Sequence, residues 1–235
     1  MRPDSVTYEE YVLQRRRQQV LYDVKWKKFL RRTWVFRHLP FVDFAIAAGS
    51  MALGNVHKDS DFDVIIAARR GRIFTVRAFA ILYFTFLGWR KKKWEHDAAA
   101  CDKICLNHFL TEAAYRLSPP YNAYWRALYS QLVPLYGEPT VIENFFEANS
   151  DWLDGPRHYG DDLRHKYTKS SDLARFIERL LRGALGDWFE QFQKRIQVRR
   201  IEHGLKTEVG YAPRIIYNDQ ELEFHPDTKR MLAYK

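Results

Sequence analysis

Apolar residues along this chain follow two periods. Thr7-Tyr8-Glu9-Glu10 has the Thr-x-x-Glu form of a capping box. After it, Val12, Val20, Leu21, Val24, Phe29, Leu30 and Trp34 supply much of an apolar stripe. The spacing predicts one long helix, ended by Pro40. Residues 41–48 then read as a strand closed by Gly49, residues 51–56 as a short turn or helix, and residues 61–67 as a second strand. An apolar helix is expected over 72–87 and a third strand over 104–110.

From Asn122 onward the pattern turns helical. Tyr124, Leu128, Leu132 and Leu135 fall at helical spacing, and so do Ile177, Leu180, Leu181, Ala184, Leu185, Trp188 and Phe192. Pro119-Pro120 is the expected boundary, dividing the chain into residues 1–118 and a mainly helical region, 119–235. Within the latter, residues 214–225 (RIIYNDQELEFH) alternate enough for a hairpin or an extended arm, with Asn218-Asp219 as its turn. The class is therefore α+β: a small mixed sheet flanked by helices, followed by a mainly helical C-terminal region.

Composition narrows the options. With 46% hydrophobic residues in 235, the chain can bury a proper core, which argues against wholesale disorder. The net charge is +9, and the basic residues are clumped: Arg15-Arg16-Arg17, residues 25–32, an acid-free run over 69–93, and residues 194–200. Such clumps suit a polyanion: nucleotide phosphates, RNA or an acidic membrane surface. The most apolar stretch, residues 78–89, is twelve residues long and too short to span a bilayer. The cations that follow it, Arg90 to Lys93, complement a helix C-terminus. No transmembrane segment or signal peptide is expected, and two cysteines make no disulfide framework, so a reducing cytoplasm is the expected location. Cys101 and Cys105 read as small core hydrophobes.

The chemistry concentrates in residues 47–66, AAGSMALGNVHKDSDFDVII. On a strand, Asp61 and Asp63 point to the same side while Phe62 and Val64 face the other. Two adjacent carboxylates repel unless a cation sits between them, and Mg²⁺ is the hard ion such oxygens favour. Upstream, Gly49 lets backbone approach a ligand closely, and Ser50 offers a hydroxyl and an amide as a phosphate seat. Lys58 lies between the two features and can reach a triphosphate. No Walker A loop occurs.

Gly49, Ser50, Gly54, Ser60, Asp61 and Asp63, on a strand–turn–strand frame, resemble the nucleotidyltransferase fold shared by polymerase-β-like enzymes. The motif covers about twenty residues, and residues 102–112 and 141–153 look more loosely like small stand-alone bacterial members. The resemblance implies that Asp61 and Asp63 hold Mg²⁺ or Mn²⁺ and that Gly49 and Ser50 bind the β- and γ-phosphates of an NTP, ATP in the first instance; Ser60 of the motif and Lys58, by its position, complete the expected nucleotide-binding set. It also implies transfer of a nucleoside monophosphate to a hydroxyl on an RNA end, a protein or a small molecule, with release of pyrophosphate.

A third carboxylate is implied on a neighbouring strand. In KICLNHFL the superfamily pattern falls on Asn107, whose amide can ligate a metal but cannot act as a base. Asp102, five residues earlier, lies on the opposite side by strict alternation unless a bulge swings it inward, and it is favoured only slightly over Asn107. The competing expectation is a non-catalytic module that binds nucleotide or RNA on the same fold.

Overall fold

The computed structural model describes residues 7–92, 99–119, 121–153, 162–207 and 214–225. The first helix, α1 (Tyr8–Leu30), starts where the capping box predicts: Thr7 accepts from the Glu10 amide, and the Glu10 carboxylate accepts from the Thr7 amide. Its burial differs from the predicted stripe. Val20 and Val24 are exposed, whereas Lys25, Trp26 and Phe29 are buried. Only the C-terminal end of α1 is packed, and Phe29 stacks on Phe62 with ring centroids 4.6 Å apart.

A 3₁₀ segment over Thr33–His38 leads into β1 (Val42–Ala47), and Gly49 opens the short helix α2 (Gly49–Leu53). Next come β2 (Phe62–Ala68), α3 (Ile73–Phe86) and β3 (Ile104–Leu110), close to their expected limits. Beyond them lie α4 (Ala123–Ser130), β4 (Val133–Gly137), α5 (Pro139–Glu147), α6 (Asp172–Leu180) and α7 (Ala184–Thr207). The predicted hairpin forms as β5 (Arg214–Tyr217) and β6 (Glu221–His225), turning at Asn218-Asp219.

The strands form one six-stranded mixed sheet, ordered β4-β1-β2-β3-β6-β5. Only β2 and β3 are parallel; α3 makes the crossover between them. Residues 119–235 therefore do not stand apart, since β4, β5 and β6 all join the sheet begun by β1 to β3. The helical periodicity seen through Leu132 and Leu135 also fails at β4, an edge strand. There Pro134 is tolerated because it lies on an edge strand, whose outer side is bridged to Tyr167 only from Tyr136 onward among the described residues.

The sheet has an apolar layer on each face. Phe62, Val64 and Ile66 join α1 and α3 in one layer; Ile65 and Ala67 join α4 and α5 in the other. By alternation, Asp61 and Asp63 share the face of Ile65 and Ala67, at the end of β2 where that second layer runs out.

Candidate metal centre

The turn after β1 and the start of β2 are joined side to side. Ala48 donates its amide to the Asp63 carbonyl at 3.0 Å. Gly49 has φ +63°, and a Cβ built on it would lie 2.1 Å from Asp63 Oδ2. A side chain at position 49 would thus occupy the space of the carboxylate, in addition to the strain of a left-handed backbone. Glycine is needed because Asp63 presses against it. Ser50 follows at the second position of α2, partly buried.

The side chains of Asp61, Asp63 and Cys105 form one group in which an oxygen or sulfur of each lies within 4.8 Å of the others. Cys105 is brought there by strand pairing, directly opposite Asp63. The register then slips. Asp63 faces Cys105 but Ile65 faces His108, so β3 uses three residues where β2 uses two. This bulge lies at Leu106 and Asn107, and the Asn107 amide donates to Asp63 Oδ1 at 3.3 Å. The bulge lies beyond Asp102 and does not swing it inward; the β3 amide that reaches the pair is that of Asn107.

Lys91 supplies the local cation. The segment after α3 runs beside the start of β3, with the Lys91 amide on the Ile104 carbonyl. Its ammonium sits 2.7 Å from Asp61 Oδ2. Burial pulls the Lys91 pKa down, but the hydrogen-bonded carboxylate of Asp61, with Asp63 beyond it, holds the group above its ordinary value. Burial, reinforced by the charges of Asp63 and Asp61, pushes the Cys105 thiol well up, so it stands beside the acids as a neutral thiol. Cys105 is thus part of a polar cluster rather than a core hydrophobe.

Asp102 is engaged elsewhere. Its Oδ1 lies 2.7 Å from the buried Lys25 ammonium and its Oδ2 2.5 Å from that of Lys28, while Arg32 donates to its carbonyl. Burial opposes its charge, but the two lysines prevail and hold its carboxyl below the ordinary range. The residue has φ +59°, a left-handed conformation that aspartate tolerates better than most. Its amide bonds to the Ser60 carbonyl, which also accepts from Lys25 at 2.8 Å. Asp102 therefore ties α1 to the segments entering β2 and β3, and the Asp61–Asp63–Cys105 group does not include it.

Of the other expected site residues, Ser60 uses its hydroxyl to accept from the His57 amide at 2.8 Å, bracing the turn. The exposed Lys58 gives its carbonyl to the Cys101 thiol.

A second polar cluster was not anticipated. His108, Glu221 and Glu223 are all buried on the same sheet face. His108 Nε2 lies 3.1 Å from Glu221, and Arg214 donates to Glu223 at 2.5 Å. The first contact fastens β6 to β3, where His108 pairs with Glu223, and the second ties β5 to β6. Glu221-Leu222-Glu223 repeats the acid–apolar–acid spacing of Asp61-Phe62-Asp63, which was the available sequence signal. No such signal singles out Lys91 from the basic run around it.

Neither a protein-family model, nor a curated protein, nor a solved structure matches the chain.

Proposed function

We propose that the chain is a metal-dependent nucleotidyltransferase of the polymerase-β-like fold, moving a nucleoside monophosphate from an NTP, with ATP as the first candidate, to an acceptor hydroxyl. The observation that carries this reading is the contact of Asp63 with Gly49. It brings the acid pair and the small-residue turn to one point, as joint capture of metal and phosphate requires.

The donors fit a hard divalent cation. Two carboxylates from one strand converge, and turning over the Asn107 amide presents an oxygen to the same ion. Asp61 and Asp63 would hold Mg²⁺ or Mn²⁺, which when bound neutralises triphosphate charge and activates the transferred phosphorus for in-line displacement. The chain's own groups do the rest. Gly49 leaves room for a ligand against the backbone, and the Ser50 hydroxyl and amide bind phosphate oxygens. The Lys91 ammonium, released from Asp61, moves to the phosphates, and Lys58 reaches the triphosphate tail. Ser60 keeps the intervening turn in shape. The net charge of +9 favours an RNA end as acceptor over a neutral small molecule, and two unpaired cysteines suit the cytoplasm.

One observation favours the second reading, a nucleotide- or RNA-binding module without turnover. The β3 side chains that face Asp63 are the Cys105 thiol and the Asn107 amide, neither of them a carboxylate, while Asp102 is bound to two lysines. The readings separate when the protein is incubated with Mn²⁺, α-labelled NTPs and pooled RNA. Transfer of label with pyrophosphate release, lost in Asp61→Ala with Asp63→Ala, supports the enzyme. NTP binding without transfer under any metal and acceptor supports the module.

A further inference from the structure

Helices α6 and α7 bury polar side chains on their inner side and leave a row of apolar ones outside. The side of α6 turned to the body of the protein carries Ala174, fully buried, and Glu178, which accepts from the Phe41 amide and pairs with Arg69. Its apolar residues Leu173, Phe176 and Leu180, at i, i+3 and i+7, face outward, Phe176 being 57% exposed. The inner side of α7 carries Phe189 and Val198 against the body of the protein, but it also buries polar groups. Glu190 is buried against the Phe74 and Thr75 amides that open α3, and Gln197 donates to the Phe74 carbonyl. Leu185, Trp188 and Phe192 are outside, with Trp188 62% exposed and stacked on Phe192. Only three residues join the helices, and a Cβ on Gly186 would collide with the Leu181 carbonyl, so the stripes follow one another across a tight turn.

The charges beside this surface are mainly basic, although Asp172 and Asp187 are themselves exposed and Glu202 follows Arg199. Glu178, Asp187 and Glu190 are turned to Arg69, Arg72 and the α3 backbone, and Asp172 is matched by Arg175 within α6. Arg195 and Arg199 continue the outward line of Trp188 and Phe192 at i+3 and i+7 from Phe192, with Glu202 lying past the apolar stripe. Arg179, Arg182, Arg195 and Arg199 are exposed and form no ion pair with a described residue.

We infer that the outer face of α6 and α7 is a docking surface for an anionic lipid membrane. Leucine, phenylalanine and tryptophan flanked by arginine is the composition of helices that lie in the headgroup region, and no helix among the described residues is long and apolar enough to cross a bilayer. A second copy of the chain fits the face poorly, because two-fold pairing would bring these arginines together. Phe176, Trp188 and Phe192 offer stacking faces to RNA bases, but they are interleaved with Leu173, Leu180 and Leu185 in one apolar stripe, which suits a hydrocarbon layer better.

The test is co-sedimentation of the full chain with vesicles of phosphatidylcholine alone or mixed with phosphatidylglycerol. The chain pellets with the anionic vesicles about tenfold more than with the neutral ones and is released by high salt. Phe176→Ser with Trp188→Ser lowers that binding about tenfold; its circular dichroism is unchanged, because both residues are outside the core. Arg195→Gln with Arg199→Gln weakens the preference for anionic lipid. The inference fails if the wild type stays in the supernatant, or if the double serine variant pellets like it. It also fails if Trp188→Ser dissociates a dimer, or if the serine variants lose binding to RNA while no vesicle is bound.

Discussion

Asp63 Oδ2 lies 2.1 Å from the point where a Cβ of Gly49 would stand, so the turn after β1 and the acid pair on β2 are shaped around each other. Replacing Gly49 with alanine forces the carboxylate aside and places a side chain at φ +63°. We expect Gly49→Ala to lower stability by about 2 kcal/mol in urea titrations and to weaken Mn²⁺ binding. In an Asp63→Ala background the same change costs less, because the carboxylate it collides with is gone. Equal costs in both backgrounds would show that backbone strain alone acts.

The two acids named from the sequence for the metal differ from the third in a measurable way. Asp102 bridges Lys25 and Lys28, so Asp102→Asn leaves a buried lysine poorly compensated and should destabilise by about 3 kcal/mol. Its carboxyl is held below the ordinary range in the fold. Its contribution is therefore present above the unfolded pKa and lost as pH falls through the folded one. Asp102→Asn should flatten the acid limb of the stability curve while the folded fraction still binds Mn²⁺. Asp63→Asn should do the reverse, keeping stability and losing the metal.

Asp43 gives a pH dependence of opposite sign. Burial, reinforced by Glu178 and Glu112 and opposed by Arg69, raises its pKa to about 6. A carboxylate whose pKa is raised in the fold favours the folded state when protonated, and that contribution fades as pH climbs through about 6. Asp43→Asn should therefore stabilise the protein by about 1–2 kcal/mol at pH 7 and leave it unchanged near pH 4. Thermal melts across that range decide the matter. A loss of stability at pH 7 would mean that its ion pair with Arg69 outweighs burial.

Lys91 competes with any cation for Asp61. Lys91→Met removes the ammonium 2.7 Å from Asp61 while keeping most of the side chain. Calorimetric titration should show Mn²⁺ binding about tenfold tighter. Unchanged affinity would place the ion away from Asp61.

The first three strands were legible because their alternation and bounding glycines are local properties, and so was the acid pair, since acids at i and i+2 share a face. What escaped depends on partners distant in sequence. Val133-Pro134-Leu135 becomes a strand because β1 offers an edge, which the helical spacing of Leu132 and Leu135 conceals. The hairpin's turn chemistry was readable, but its docking on β3 through His108 and Glu221 was not. Asp102 looked like a metal ligand by its position near β3; Lys25, some seventy-five residues earlier on α1, makes it structural. The helical spacing from Ile177 to Phe192 marked the helices but not the outward side of their leucines and aromatics, because periodicity identifies an apolar face without saying which way it points.

The central claim is that Asp61 and Asp63, with Gly49 against them, form a divalent metal site. Mn²⁺ titration followed by electron paramagnetic resonance tests it most directly, since the signal of free Mn²⁺ is lost on binding. The wild type should take up the ion, Asp102→Asn should retain that uptake in its folded fraction, and Asp63→Asn should lose it. A wild type that leaves the free-ion signal intact, or an Asp63→Asn variant that binds as well as the wild type, contradicts the claim.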